Sequence, residues 1–135
     1  MSIAKREDET TKIIVIAHWG GKTQTNENDI RQRILAQRLS KAGADIIIGH
    51  GGRNMKGIEQ INQTTVLYDI GVSIFNSDDD TRETIQHPYS LIPQVNVNPN
   101  HTIELKLYPI YTNNHATLCQ PRFVDKKDLI IVILY

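Results

Sequence analysis

KIIVIAHWGGK (residues 12–22) and AGADIIIGHGGRNMKGIE (residues 42–59) decide the fold of this chain. Each passes from a short β-branched run, 12–17 and 45–48, into a His followed by glycines. Such runs predict strands buried on both faces. Between them, residues 28–42 place Ile30, Ile34, Leu35, Leu39 and Ala42 at three- and four-residue steps. That spacing predicts a helix with those residues as its core face, capped by Asn28 or Asn26 and stopped by Gly43. Strand, helix and strand in so short a span make a βαβ unit, so the two strands should be parallel.

Working outward, residues 57–61 and 65–70 read as a hairpin turning at Asn62-Gln63. Residues 89–97 and 102–110 alternate apolar and polar side chains about the turn Asn98-Pro99-Asn100, the pattern of antiparallel strands. Residues 77–81 are an acidic loop, and Asp78, Asp79 and Asp80 read as solvated. The class is α/β, a βαβ unit followed by antiparallel strands. The 135 residues show no repeat or linker and read as one domain.

Fifteen basic and fifteen acidic residues give no net charge, which argues against nucleic acid or an anionic membrane as partner. The last apolar run, 129–135, is too short to span a bilayer. No secretory signal is legible, which implies a cytoplasmic location for a complete chain; a lost upstream signal would allow the cell envelope. The lone Cys119 has no partner for a disulfide or a zinc knuckle and reads as a buried structural thiol. No Gly-x-Ser-x-Gly, Walker or dinucleotide-binding motif is present.

The chemistry concentrates at His18 and His50. Each follows the carboxyl end of a predicted parallel strand, where open α/β sheets bind ligands. Gly51 and Gly52 let backbone approach a ligand closely, Lys22 and Arg53 can grip an anion, and Trp19 can wall the site or belong to the core. A histidine at a strand end also serves as an ordinary loop residue bonded to backbone. His87, His101 and His115 have no nameable partners.

The words VIAHWGGK and AGADIIIGHGGRNMKGIE, in this order, resemble the CapA family, named for capsule and poly-gamma-glutamate biosynthesis. The resemblance continues through LYDIGVSIFNS and LKLYPIYTNNHATLCQPRFV, covering about residues 3–124. It implies the later half of a four-layered, calcineurin-type metallophosphatase fold, hence a partial domain over residues 1–135. It implies that His18 and His50 match late metal-ligand histidines and that the cofactor is a divalent metal: manganese, iron or zinc. Gly51, Gly52 and Arg53 stand where the family usually carries a further histidine, Lys22 replaces a glutamate, and Val72 an asparagine. The family's early carboxylate and Asn-rich motifs have no match, so no catalytic residue is assigned. The implied partners are the missing N-terminal half or a fused peptide-ligase-type module. Two functions follow from the resemblance: a metal-dependent phosphoesterase-like role in polymer biosynthesis, inactive in this portion alone, or a non-catalytic remnant binding an anion or a protein partner.

Overall fold

A computed structural model describes residues 10–20, 26–74 and 88–125. The chain runs β1 (Ile14–His18), α1 (Asn26–Lys41), β2 (Ile46–His50), β3 (Ile58–Ile61), β4 (Thr64–Leu67), β5 (Tyr89–Val97), β6 (Ile103–Tyr111), α2 (Asn114–Thr117) and β7 (Arg122–Phe123). Among the described residues there is a four-stranded sheet in the order β1-β2-β4-β3 and a three-stranded sheet in the order β5-β6-β7. β1 and β2 are parallel, with Ile14 opposite Ile46 and His18 opposite His50, as the βαβ reading requires. β2 also runs parallel to β4, and β3 closes the sheet as the antiparallel arm of the expected hairpin. Asn62 makes that turn at φ 53°.

One core holds the first sheet to the helix. Ala36 and Leu39 of α1 meet Ala44, Ile47 and Val66, with Ile13, Val15, Ala17 and Trp19 packed around them. Burying an aliphatic side chain such as Ile47 contributes about 1.5–3 kcal/mol. Gly43, at φ 100°, ends α1 in the left-handed conformation that glycine tolerates best. The Ala44 amide then bonds back to the Leu39 carbonyl at 3.1 Å. Thr64 is buried in β4, and its hydroxyl donates to the Ala44 carbonyl at 2.6 Å, so that polar pair is satisfied inside.

The predicted helix face needs correction. α1 buries Gln32, Ala36 and Leu39, whereas Ile30, Ile34, Leu35 and Ala42 are exposed. At 100° per residue, Ile30 and Ile34 lie opposite the Gln32–Ala36 line. The helix therefore carries a second apolar stripe that nothing described here covers, and periodicity alone read that stripe as the core. β1 also departs from the reading of a strand buried on both faces. Val15 and Ala17 face the helix, but Ile14 and Ile16 alternate to the other side, and Ile16 is 72% exposed. Among the described residues β1 pairs with β2 alone, so it is an edge covered on one side. Their neighbours Ile46 and Ile48 on β2 are buried.

The second sheet hangs from the end of β4. The Ser90 hydroxyl and the Leu91 amide both bond to the Ile70 carbonyl, at 2.6 and 2.8 Å. β5 and β6 pair antiparallel along their full length, from Tyr89–Tyr111 to Val97–Ile103. Cys119 is exposed, contrary to its reading as a buried thiol, because it lies in the turn after α2 at φ 59°, outside both sheets. No described helix is long and apolar enough to cross a membrane.

Candidate functional site

The parallel register of β1 and β2 ends both strands at the same level, and there the two histidines meet. The rings of His18 and His50 lie 4.6 Å between centroids, edge to face at 66°. Adjacent strands stand about 4.8 Å apart, so this separation follows from direct pairing. His18 is exposed and His50 half-buried. The sequence-predicted histidines therefore share one rim.

Backbone locks the loops that follow. The amides of Trp19 and Gly20 both donate to the His50 carbonyl, at 3.2 and 3.1 Å. The loops interlock so closely that a Cβ on Gly20 would overlap the Gly52 nitrogen and the Gly51 carbonyl carbon. Gly51 sits at φ 100°, and a Cβ there would come 2.7 Å from the His18 Nε2. At Gly20 the atoms in the way are backbone, and at Gly51 the positive φ strains any side chain that would also press on the His18 ring, so both positions favour glycine. Arg53 continues the turn at φ 67°, a conformation uncommon for a residue with a side chain, and is partly buried.

Trp19 is held on three sides. Its indole Nε1 donates to the Tyr68 carbonyl at 2.8 Å, its carbonyl accepts from Gln32 Nε2 at 3.0 Å, and its ring stacks on Tyr68 at 6.1 Å. The indole also packs against the helix-facing core. Of the other predicted site residues, Gly51 and Gly52 stand in the rim, whereas Lys22 lies outside the described residues. So do Asp78, Asp79, Asp80 and His87. His101 occupies the exposed β5–β6 turn at φ 61°, and the α2 segment carrying His115 follows β6 at the end where Tyr111 pairs with Tyr89.

The structure adds Asp69, which the sequence reading missed. Its side chain is fully buried. One carboxylate oxygen accepts the Gly52 amide at 2.6 Å and the other the Gly71 amide at 2.8 Å. Burial pushes the carboxyl above its ordinary range, opposed by those two amides and, more weakly, by Lys56 and His50. The available signal was one acidic residue inside the apolar run VLYDI (residues 66–70), where a charge demands partners. Gln32 was also missed. It is buried in α1, holds the Trp19 carbonyl, and its own Oε1 accepts from Lys56 Nζ at 3.1 Å.

Chemically, the rim offers two neighbouring imidazoles beside a glycine turn. Two imidazoles suit one zinc, manganese or iron-type ion. Among the described residues no group of three His, Cys, Asp or Glu is placed to hold a metal. Asp69 is already bonded to two amides.

Comparison with known proteins bears on this region. A family model described as bacterial capsule synthesis protein PGA_cap matches residues 1–77, which include both histidines and Asp69. The PGA biosynthesis protein CapA of Bacillus subtilis (strain 168) is 38% identical over 74 residues, covering 55% of this chain and 19% of that protein. The capsule biosynthesis protein CapA of Bacillus anthracis is 33% identical over 64 residues, covering 47% of this chain and 15% of its own length. An uncharacterized protein, y4sH, of Sinorhizobium fredii is 29% identical over 115 residues, covering 81% of this chain and 24% of that protein. The chain thus spans a quarter or less of the length of these relatives.

Proposed function

The chain belongs to the bacterial capsule synthesis protein PGA_cap family, and from that membership we propose that it serves the biosynthesis of a capsule or poly-gamma-glutamate-type polymer, with the His18–His50 rim as its ligand site. The observation that carries the site is the 4.6 Å pairing of the two imidazoles at the ends of parallel strands. The relatives' names, capsule and PGA biosynthesis proteins, support the polymer role.

His18 and His50 would hold a single divalent ion at the rim. An ion in such a place supplies Lewis-acid polarisation of a phosphoryl oxygen or a bound water. A two-metal phosphoesterase centre needs bridging and terminal carboxylates as well, and the described donors do not supply them. Within the span of this chain, the imidazoles bind and orient an ion or its anionic ligand, the glycine turn lets that ligand approach backbone, and no hydrolytic step follows. Arg53, in the turn that follows His50, complements an anion there. The second reading, a non-catalytic module that grips an anion or a protein partner, draws on the same shortage of carboxylates.

The test is imidazole NMR of the whole chain, titrated separately with zinc, manganese and inorganic phosphate. Zinc shifts or manganese broadening confined to His18 and His50 support the ion site. Phosphate shifts without any metal effect favour the anion reading. No response of either ring to any of the three overturns both.

A further inference from the structure

Asp69 sits at the junction of three strand ends, and its carboxylate does no chemistry in the reading above. It is the carboxylate of β4's continuation, fully buried, with both oxygens spent on backbone amides: Gly52 at 2.6 Å and Gly71 at 2.8 Å. Its own carbonyl accepts the Lys56 amide at 3.0 Å. Gly52 closes the turn that begins at His50. The same turn reaches β1 through the His50 carbonyl, which receives the Trp19 and Gly20 amides. Gly51 within it lies against the His18 imidazole. A path of contacts therefore runs from Asp69 through Gly52 and Gly51 to the His18 ring, whose centroid stands 4.6 Å from that of His50.

Burying this carboxylate is costly, with Lys56 and His50 only weakly opposing the cost, and a side-chain amide or hydroxyl would bond one of these amides with less desolvation. What only a carboxylate provides is two acceptors on one rigid fork, able to pin two separate glycine turns at once. We propose that Asp69 is a positioning residue for the rim: it fixes the Gly51-Gly52 turn and so sets the spacing and orientation of His18 and His50. In its ligand arm the proposal rests on the ion-binding reading of the rim; in its ring-geometry arm it stands without it.

Asp69→Asn keeps the shape but can accept only one of the two N–H groups and turns its NH2 toward the other. Ile47→Val, a buried one-methyl deletion in the helix-facing core, lowers stability without touching the turn and serves as the control. Both variants are compared with the whole chain by thermal melting, by zinc titration and by imidazole NMR without metal. The expected result is that Asp69→Asn weakens zinc binding about tenfold, in the range seen when an outer-shell partner of a ligand is removed. It also moves the His18 and His50 ring resonances, while Ile47→Val lowers Tm and leaves both unchanged. Unchanged zinc affinity and unchanged ring resonances in Asp69→Asn overturn the proposal, as do equal ring shifts in both variants. If the unaltered chain binds no zinc, the ion-site reading fails and the ring resonances alone decide the role of Asp69. Should Asp69→Asn fail to fold, Gly71→Ala tests the other arm of the fork. It strains the φ 78° turn that Asp69 holds, and it should move the same two rings.

Discussion

Gly20→Ala puts one methyl group where the β1 and β2 loops cross. The new Cβ would overlap the Gly52 nitrogen and the Gly51 carbonyl carbon and lie 2.6 Å from the Gly51 oxygen. None of these atoms can rotate aside, so the loops must part by about an ångström or more. Overpacking of this kind costs about 1–3 kcal/mol. Parting the loops also stretches the amide bonds from Trp19 and Gly20 to the His50 carbonyl, each worth about 0.5–1.5 kcal/mol. A total of roughly 2–6 kcal/mol, at about 4 °C per kcal/mol for a chain of this size, lowers Tm by about 8–24 °C. Gly57→Ala is the matched control, because a Cβ there meets nothing within 4 Å. It should leave Tm unchanged or raise it slightly, through about 0.4–1 kcal/mol of lost unfolded-state freedom. The assay is thermal circular dichroism of both variants, with the nuclear Overhauser contact between the two imidazoles followed in parallel. Equal melting of Gly20→Ala and Gly57→Ala, with that contact intact, refutes the interlocked rim.

Three further outcomes are expected. Ile16→Lys, on the open face of β1, should change stability by less than about 0.5 kcal/mol and reduce self-association in sedimentation; a large loss of stability would mean that this face is covered. Thr64→Val removes the hydroxyl that satisfies the buried Ala44 carbonyl and should cost about 1–3 kcal/mol by urea unfolding. Burial raises the Asp69 carboxyl above its ordinary 3.8, so the folded chain holds that proton to higher pH than the unfolded chain. Its contribution is therefore most favourable below that value and declines as pH rises through the window above it. The stability difference between the unaltered chain and Asp69→Asn should drift in that direction as pH rises from the ordinary carboxylate value, and a flat difference would contradict the assignment.

The parallel strands, the helix and both hairpins were legible because each is written locally, in β-branched runs, glycine stops and short polar turns. His18 and His50 were legible as a pair for the same reason: two strands of one βαβ unit end at one level. The faces were not. Ile30 and Ile34 share a helical stripe as regular as that of Ala36 and Leu39, and only the sheet decides which stripe is buried. Ile14 and Ile16 read as core because a β-branched run cannot tell a central strand from an edge. Asp69 escaped notice because its partners are backbone amides 17 and 2 residues away, which no side-chain pattern records. Cys119 was misplaced by composition alone, since nothing in its neighbours told of a turn outside the sheets.

Calorimetric titration of the whole chain with manganese and with zinc, coupled to a phosphodiester turnover assay on the same samples, bears most directly on the histidine rim. The expected result is weak binding of one ion, lost in both His18→Ala and His50→Ala, with no turnover at any metal concentration. Metal-dependent turnover that disappears in either variant would show a complete catalytic centre where two imidazoles alone were inferred. Binding that survives both substitutions would place the ion elsewhere.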